Sequence, residues 1–152
     1  MVGEDGSEYL LCCGVARDIQ IQREGDLRRL SVEAVSGTYY EDLVKYVRVF
    51  QDSSSTYDAV LKHNEKNYQD AGHSMMIGNG STIGDLVVQY RETDWEFARR
   101  MASHFNSVVV PAYRTKGIHY YFGFPDGKQN IELSKHTYTI RKDAGDYLTK
   151  TK

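Results

Sequence analysis

Alternation between apolar and polar residues characterises the N-terminal third of the chain. Residues 8–22 show it most clearly around Ile19 and Ile21, and residues 30–35 repeat it. A period of two is typical of a β-strand with one buried face, because successive side chains point to opposite faces. Residues 23–26, between the two runs, include the turn-forming Gly and Asp. We therefore predict a β-hairpin with a four-residue connection.

A first helix is predicted over residues 55–67. Its apolar positions lie one helical turn apart, and a polar loop precedes it. Ser55 and Asp58 have the spacing of a capping box, in which each side chain binds the other residue's free backbone amide. Ser55 is therefore expected to be the N-cap.

A second helix is predicted over residues 93–106, and its start has the strongest local signal in the sequence. Thr93 and Glu96 have the capping-box spacing, and acidic residues suit the positive end of a helix. Apolar residues then recur at intervals of three and four: Ala98, Met101, Ala102 and Phe105. Arg99 and Arg100 are expected on the solvent side.

Short apolar runs bounded by Gly, Asn and Asp predict further strands. We expect them at residues 46–51, 75–77, 85–90, 108–110, 117–124, 130–133 and 137–140. A short helix or wide turn is predicted at residues 39–46, and residues 141–152 are expected to be a fraying polar tail. The predicted fold class is α+β, with mainly antiparallel strands and two principal helices. The chain is expected to be one module over residues 1–152, with a division into lobes at 1–52 and 53–140 as an option.

Composition and charge exclude several classes of function. The chain has 152 residues, with 40% hydrophobic and 26% charged residues, as expected for one globular domain. Its net charge of −2 offers no basic excess for binding nucleic acid. No apolar run approaches the ~18 residues of a membrane helix, and the acidic N-terminus does not resemble a signal peptide.

Cysteine and tyrosine usage leaves two questions open. Cys12 and Cys13 are adjacent, and neighbours on a strand point apart, so we expect free thiols, one in the core and one exposed or at an interface. The twelve tyrosines suit sheet faces and subunit contacts, and they could also stack on sugars.

Tests for catalytic chemistry find no complete set of residues. The five histidines lack metal-ligand spacing, and no nucleophile, phosphate-loop or dinucleotide motif occurs. Glu92, Asp94 and Glu96 could suggest a glycosidase pair, but helix capping explains them more simply. We therefore expect no enzyme activity, no metal and no cofactor, and we favour a structural or assembly module.

Two segments, taken in order, resemble one known family. Residues 88–102, with Gln89-Tyr90 followed by Glu92-Thr93-Asp94 and then Phe97, resemble its segment QYxETDxxFxxRLA. Upstream, Ser36-Gly37-Thr38, Asp42 and the run Arg48-Val49-Phe50-Gln51-Asp52 resemble its stretch S-x-T … R-x-F-Q-D. The family is the contractile injection hub family, which includes VgrG spike proteins and late control D proteins of contractile phages. Order and spacing agree over about residues 15–125.

The resemblance implies a structural role for the motif residues at a strand-to-helix corner. Those residues are Arg48, Phe50, Gln51, Gln89, Tyr90, Glu92, Thr93, Asp94, Glu96, Phe97 and Arg100. Arg91, Glu92 and Asp94 in particular are expected to make buried or capping polar contacts.

At the level of the whole protein, the resemblance implies a trimeric, barrel-like baseplate hub that joins the tail tube to the spike. Its partners would be other copies of itself, tail-tube proteins and spike proteins. It would be made in the bacterial cytoplasm and reside in a virion tail or injection apparatus. Full hubs are longer, so this chain is expected to be a fragment or a truncated relative.

Two alternatives remain open. The first is a carbohydrate- or surface-binding β-module that uses Tyr120, Tyr121 and Phe122 as a stacking platform or interface. The second is a tail-associated cell-wall hydrolase, for which the sequence offers no catalytic set.

Overall fold

The part of the chain that the structure describes contains nine strands, two α-helices and a 3₁₀ helix. The computed structural model describes residues 10, 12–25 and 27–125, and the backbone of residues 137–142 and 145–150. The elements are β1 (Val15–Glu24), β2 (Leu27–Val35), the 3₁₀ helix (Gly37–Asp42), β3 (Lys45–Phe50), α1 (Tyr57–Glu65), β4 (Ala71–Met75), β5 (Val87–Thr93), α2 (Asp94–Ser103), β6 (Val109–Pro111), β7 (Ile118–Phe122), β8 (Thr137–Lys142) and β9 (Gly145–Lys150). Within this part of the chain, neither helix has the length and apolarity needed to cross a membrane.

The strands form four small sheets, mostly antiparallel. β1 pairs with β2, β3 with β5, and β8 with β9, while the third sheet has the order β4-β7-β6. β4 and β7 run parallel, which the sequence did not indicate. The predicted α+β class with mainly antiparallel strands is confirmed. Among the described strands no sheet closes into a barrel.

The N-terminal hairpin has a tighter connection than predicted. The register of β1 and β2 shifts once, between Ala16 and Asp18, and then continues unbroken to the pair Glu24 and Leu27, so two positions connect the strands rather than four. Gly25 lies in the left-handed region, with φ of 63°, where glycine has no steric penalty. The turn residues Arg23 and Glu24 thus extend the ladder instead of ending it.

The two helices differ in how closely they match prediction. α2 begins after Thr93 as predicted, with both bonds of the capping box present. The N-cap of α1 is Thr56 rather than Ser55, and its hydroxyl accepts a bond from the amide of Ala59 at 3.1 Å. Adjacent Ser and Thr can both cap a helix, so the sequence pattern alone did not distinguish them.

The hydrophobic core lies between α1, α2 and the β4-β7-β6 sheet. Buried members of this cluster come from four elements and one loop: Tyr57, Val60, Leu61, Ile83, Val87, Phe97, Ala98, Met101, Ala102, Tyr120 and Phe122. Three of the four predicted core positions on α2 are buried, whereas Phe105, just beyond the helix, is half-buried. Each large side chain buried in such a cluster stabilises the fold by about 1.5 to 3 kcal/mol.

Several boundaries differ from the predictions. The strand expected at residues 75–77 is β4, which ends at Met75, and the short helix expected at 39–46 is the 3₁₀ helix. Much of the tail expected to fray is paired instead, because β9 continues the chain antiparallel to β8. The strand predicted at 130–133 lies outside the described residues.

Phe97 and Phe105 should differ in their contribution to stability. Phe97 is fully buried, so Phe97→Ala should lower the free energy of unfolding by about 3 to 5 kcal/mol. Phe105 keeps part of its ring exposed, so Phe105→Ala should cost about 1 to 3 kcal/mol. Urea unfolding of both variants measures the difference, and equal losses would contradict this description of the core.

Candidate functional site

The corner between β5 and α2 is built on a complete capping box. The Thr93 hydroxyl accepts a bond from the amide of Glu96 at 3.0 Å, and the Glu96 carboxylate accepts one from the amide of Thr93 at 2.9 Å. This backbone bond is the main cause that lowers the pKa of the Glu96 carboxyl. Two free amides of the helix start are thereby satisfied.

Thr93 also ties the corner to the 3₁₀ helix. Its hydroxyl donates to Asp42 at 2.7 Å, across 51 residues of sequence. The 3₁₀ helix itself starts at Gly37, where a Cβ would collide with the backbone of Gly117. The glycine in Ser36-Gly37-Thr38 therefore permits this close approach, and the hydroxyls of Ser36 and Thr38 bond at 2.7 Å beside it.

Asp94, the first residue of α2, is a buried carboxylate with charged and polar partners. Arg48 from β3 forms an ion pair with it. Gln89 donates to it at 2.9 Å and Tyr68 donates at 2.8 Å. Burial, followed by the bond to Asp94, raises the pKa of the Tyr68 phenol well above its ordinary value, so the phenol stays a donor. A buried charge requires such partners, since desolvation alone would be costly.

Gln89 connects the corner to the other elements and is fully buried. Its carbonyl oxygen accepts bonds from Arg48 at 2.7 Å and from Asn64 of α1 at 3.3 Å. Its amide nitrogen lies within bonding distance of the backbone carbonyl oxygens of Glu92 and Thr93 and of the carboxylate of Asp94. One side chain thus links β3, β5, α1 and the start of α2.

Arg100 was predicted on the solvent side of α2, but its guanidinium makes three hydrogen bonds to β5. Its guanidinium donates two bonds of 2.8 Å to the Glu92 carboxylate and one of 2.7 Å to the backbone oxygen of Val88. Because Arg100 lies on α2 and both acceptors lie on β5, these bonds clamp the helix onto the strand.

The other motif residues divide between core and surface. Phe97 is buried, and the half-buried Phe50 stacks on it with ring centroids 5.7 Å apart. Gln51 and Tyr90 are exposed. Arg91 is also exposed, which differs from the expectation of a buried or capping contact for this residue.

The proposed platform of Tyr120, Tyr121 and Phe122 is wrong as a surface feature. Strand alternation in β7 buries Tyr120 and Phe122, and Tyr121 alone of the three points to the half-exposed face. Tyr120 stacks on His73 at 5.5 Å, with Trp95 at its edge. A stacking surface for sugars needs adjacent exposed rings, which a period of two does not provide here.

A second polar cluster lies beneath the 3₁₀ helix, and sequence analysis did not identify it. Glu41 is 2% exposed, and one of its carboxyl oxygens has no hydrogen-bond partner. Burial, followed by the carboxylates of Glu65 and Asp94, raises the pKa of Glu41 to about 8. The buried His73 ring lies 2.6 Å from Glu65. No periodicity unites residues from three elements, so its only signal was that Glu41 precedes the motif residue Asp42.

The described surface includes two depressions of several hundred Å³, and the polar cluster of Glu41, Glu65 and His73 lines neither of them. One, of about 770 Å³, lies beside α2 and β6, and the other, of about 690 Å³, includes Cys12 and Cys13. Both thiols are free. In the described residues, no group of three or more His, Cys, Asp or Glu side chains is arranged to hold a metal ion. The arrangement of the corner suits holding elements together rather than presenting reactive groups.

No family model matches the chain, and no curated protein matches it.

Loss of the Thr93 hydroxyl should lower the free energy of unfolding more than loss of the Thr56 hydroxyl, which caps α1. Thr93→Ala removes a cap and the bond to Asp42, so the free energy of unfolding should fall by about 2 kcal/mol. Thr56→Ala removes only a cap, at a cost of about 1 kcal/mol. Chemical unfolding measures both, with Thr93→Ser as a control that keeps the hydroxyl. A Thr93→Ala loss no larger than that of Thr56→Ala would contradict the double role.

Glu41 should make stability fall as pH rises. Its pKa of about 8 in the folded chain exceeds the ordinary 4.5, so the folded state binds the proton more tightly. The stabilisation is complete below pH 4.5 and is lost as pH rises through about 8. Each pKa unit is worth about 1.4 kcal/mol, so the loss is on the order of 3 to 5 kcal/mol.

Glu41→Gln tests this directly, because the amide stays neutral at every pH. Thermal melts between pH 5 and 9 should show a flatter profile for Glu41→Gln and a higher stability than wild type at the alkaline end. Glu33→Gln, on the exposed hairpin, is the control and should keep the wild-type slope. Parallel profiles for wild type and Glu41→Gln would contradict a protonated, buried Glu41.

Proposed function

We propose that this chain is a structural module of a baseplate hub in a phage tail or contractile injection apparatus. In that role it joins the tail tube to the spike through ring assembly and performs no catalysis. The first support is that the two segments carrying the resemblance meet in space. Asp42 and Arg48 of the upstream segment bond to Thr93, Gln89 and Asp94 of the downstream one.

The second and main support is the apolar face of the β1-β2 hairpin. Ile19 pairs with Val32, and Ile21 pairs with Leu30, so all four share one face. Their exposed fractions run from 51% to 75%. An isolated two-stranded hairpin is marginally stable in water, and a contiguous apolar face indicates a contact surface. This face is the observation that carries the proposal.

A third support is the outer face of the β3-β5 sheet. Val47 pairs with Tyr90, and Val49 pairs with Val88. Val47, Val49 and Tyr90 are 50% to 64% exposed, while Arg48 and Gln89 on the opposite face form the buried corner. The chain therefore carries two different apolar sheet faces. Joining unlike faces of successive copies is a heterologous contact, which generates rings when the rotation closes.

The alternatives have less support. A sugar platform lacks its rings, since Tyr120 and Phe122 are in the core. For a cell-wall hydrolase, the carboxylates of Glu92, Asp94 and Glu96 are engaged by Arg100, Arg48 and the Thr93 amide respectively. Their roles in folding account for their positions without a substrate.

The hairpin face should be required for self-association. Wild type should form a trimer, measured by light scattering coupled to size-exclusion chromatography. The double variant Ile21→Lys/Leu30→Lys places two charges on the apolar face and should be monomeric. Removing the burial of two such side chains weakens association by on the order of a hundredfold or more.

A matched control lies on the same two strands. Gln20 and Ser31 are cross-strand partners on the opposite, polar face. Gln20→Lys/Ser31→Lys adds the same charge to the hairpin and should leave the trimer intact. Wild type that stays monomeric at every concentration, or two double variants with the same mass profile, would contradict the proposal.

A further inference from the structure

The depression beside α2 is predominantly basic. It has a volume of about 770 Å³, and its lining includes Lys45, Arg91 and Arg99 together with the hydroxyls of Ser103 and Ser107. We call it the basic depression. On a chain with a net charge of −2, this is a local reversal of sign. A concave site of this size with a few convergent polar groups is typical of a ligand pocket.

The carboxylates in the basic depression are already engaged. Glu92 accepts two bonds from Arg100, and Glu96 accepts the amide of Thr93 in the capping box. Among the described residues, Lys45, Arg91 and Arg99 form no ion pair with a carboxylate. The lining carries four cationic side chains, Lys45, Arg91, Arg99 and Arg100, against the two carboxylates of Glu92 and Glu96. Lys45 and Arg99 lie close enough to Glu96 for their charges to help lower the pKa of its carboxyl. The excess of positive charge means that the depression attracts anions.

Arg91, which lines the basic depression, has a strained backbone conformation. Tyr46 pairs with Glu92 and Val47 pairs with Tyr90, so Arg91 is the extra residue of a β-bulge. Its φ of 50° lies in the left-handed region, where a long side chain such as that of arginine is uncommon. Bulges redirect side chains, and here the bulge brings Arg91 to the lining of the basic depression. Strain at a non-glycine residue is frequent at functional sites.

Among the described residues, two other non-glycine residues have positive φ, and the conformation costs them less. They are Asp70 and Asn106, at 54° and 52°. Asp and Asn tolerate this conformation because their short polar side chains bond locally. Glycine would suit position 91 better than arginine on conformational grounds alone. What Arg91 offers that glycine lacks is a guanidinium at the lining of the basic depression, which also lies 5.9 Å from the centre of the Tyr90 ring.

We propose that the basic depression binds carboxylate groups of an acidic peptide segment from a partner protein. Arginine guanidinium groups match carboxylates with two parallel bonds, and the Ser107 hydroxyl adds a donor, whereas the Ser103 hydroxyl already donates to the backbone oxygen of Arg100 at 2.6 Å. The lining also includes Val108 and Val109, which suit the methylene groups of glutamate side chains better than a bare inorganic anion. This site goes beyond the proposed hub assembly, which uses the apolar sheet faces.

The experiment measures binding of a fluorescein-labelled hexaglutamate peptide to the full chain by fluorescence anisotropy. Wild type should bind it, binding should weaken with added salt, and a hexalysine peptide should not bind. Arg91→Gln should weaken binding by about tenfold, as expected for the loss of charge-assisted hydrogen bonds. Arg114→Gln removes the same charge from an exposed site outside the depression and should bind as wild type does.

Arg91→Gly distinguishes a loss of binding from a loss of folding stability. It should lose affinity like Arg91→Gln and yet unfold at a higher temperature than wild type, because glycine relieves the strain. Absence of hexaglutamate binding by wild type, or equal losses in Arg91→Gln and Arg114→Gln, would overturn the proposal. Inorganic phosphate that binds more tightly than the peptide would also overturn it, in favour of a phosphate site.

Discussion

Asp94 is a carboxylate at the first position of a helix and almost out of reach of water, and the rest of the domain is arranged around it. The helix N-terminus stabilises its charge only in part, so Arg48 from β3 and the Tyr68 phenol must also be in place. Gln89 completes the arrangement from β5. Removing one partner of such a buried pair typically costs about 3 to 5 kcal/mol.

This polar corner and the apolar core support each other. Gln89 and Asp94 face the interior from the same elements that deliver Val87 and Phe97 to the core. A slip of one residue in β5 would expose the amide of Gln89 and bury the outward-facing Tyr90. The buried polar contacts of Gln89 and the burial of apolar side chains therefore favour the same register of β5. Arg100 reinforces it by joining α2 to two points on β5.

Local chemistry explains which parts of this fold were predictable. The capping box at Thr93 and the spacing of Ala98, Met101 and Ala102 lie within a few residues, so the sequence indicates them directly. The parallel pairing of β4 with β7 joins positions 47 residues apart, and no local pattern encodes it. β7 was predicted as a strand, but which of its rings would be buried depended on a neighbour that sequence could not identify.

The candidate site, too, was predictable where its residues are close in sequence and not where they come from separate elements. The motif residues were expected at a strand-to-helix corner, and Thr93, Asp94 and Glu92 are there. The polar cluster at Glu41 was not foreseen, because its members come from separate elements. Burial and the nearby carboxylates of Glu65 and Asp94, which raise the pKa of Glu41, arise only in the folded chain. Arg91 was misjudged for a backbone reason: a left-handed bulge residue is expected to be Gly or Asn, so an arginine gave no signal.

The hairpin of β1 and β2 affects both the tendency of the chain to aggregate and the evolution of its sequence. Its strands pair only with each other among the described sheets, so both outer edges and one apolar face are open. Open edges and exposed Ile and Leu side chains template aggregation when the correct partner is missing. In the proposed hub role, selection for assembly and selection against precipitation act on the same four side chains. On the opposite face, the carboxylates of Asp18 and Glu33 are cross-strand neighbours, and their like charges disfavour stacking of two copies through that face.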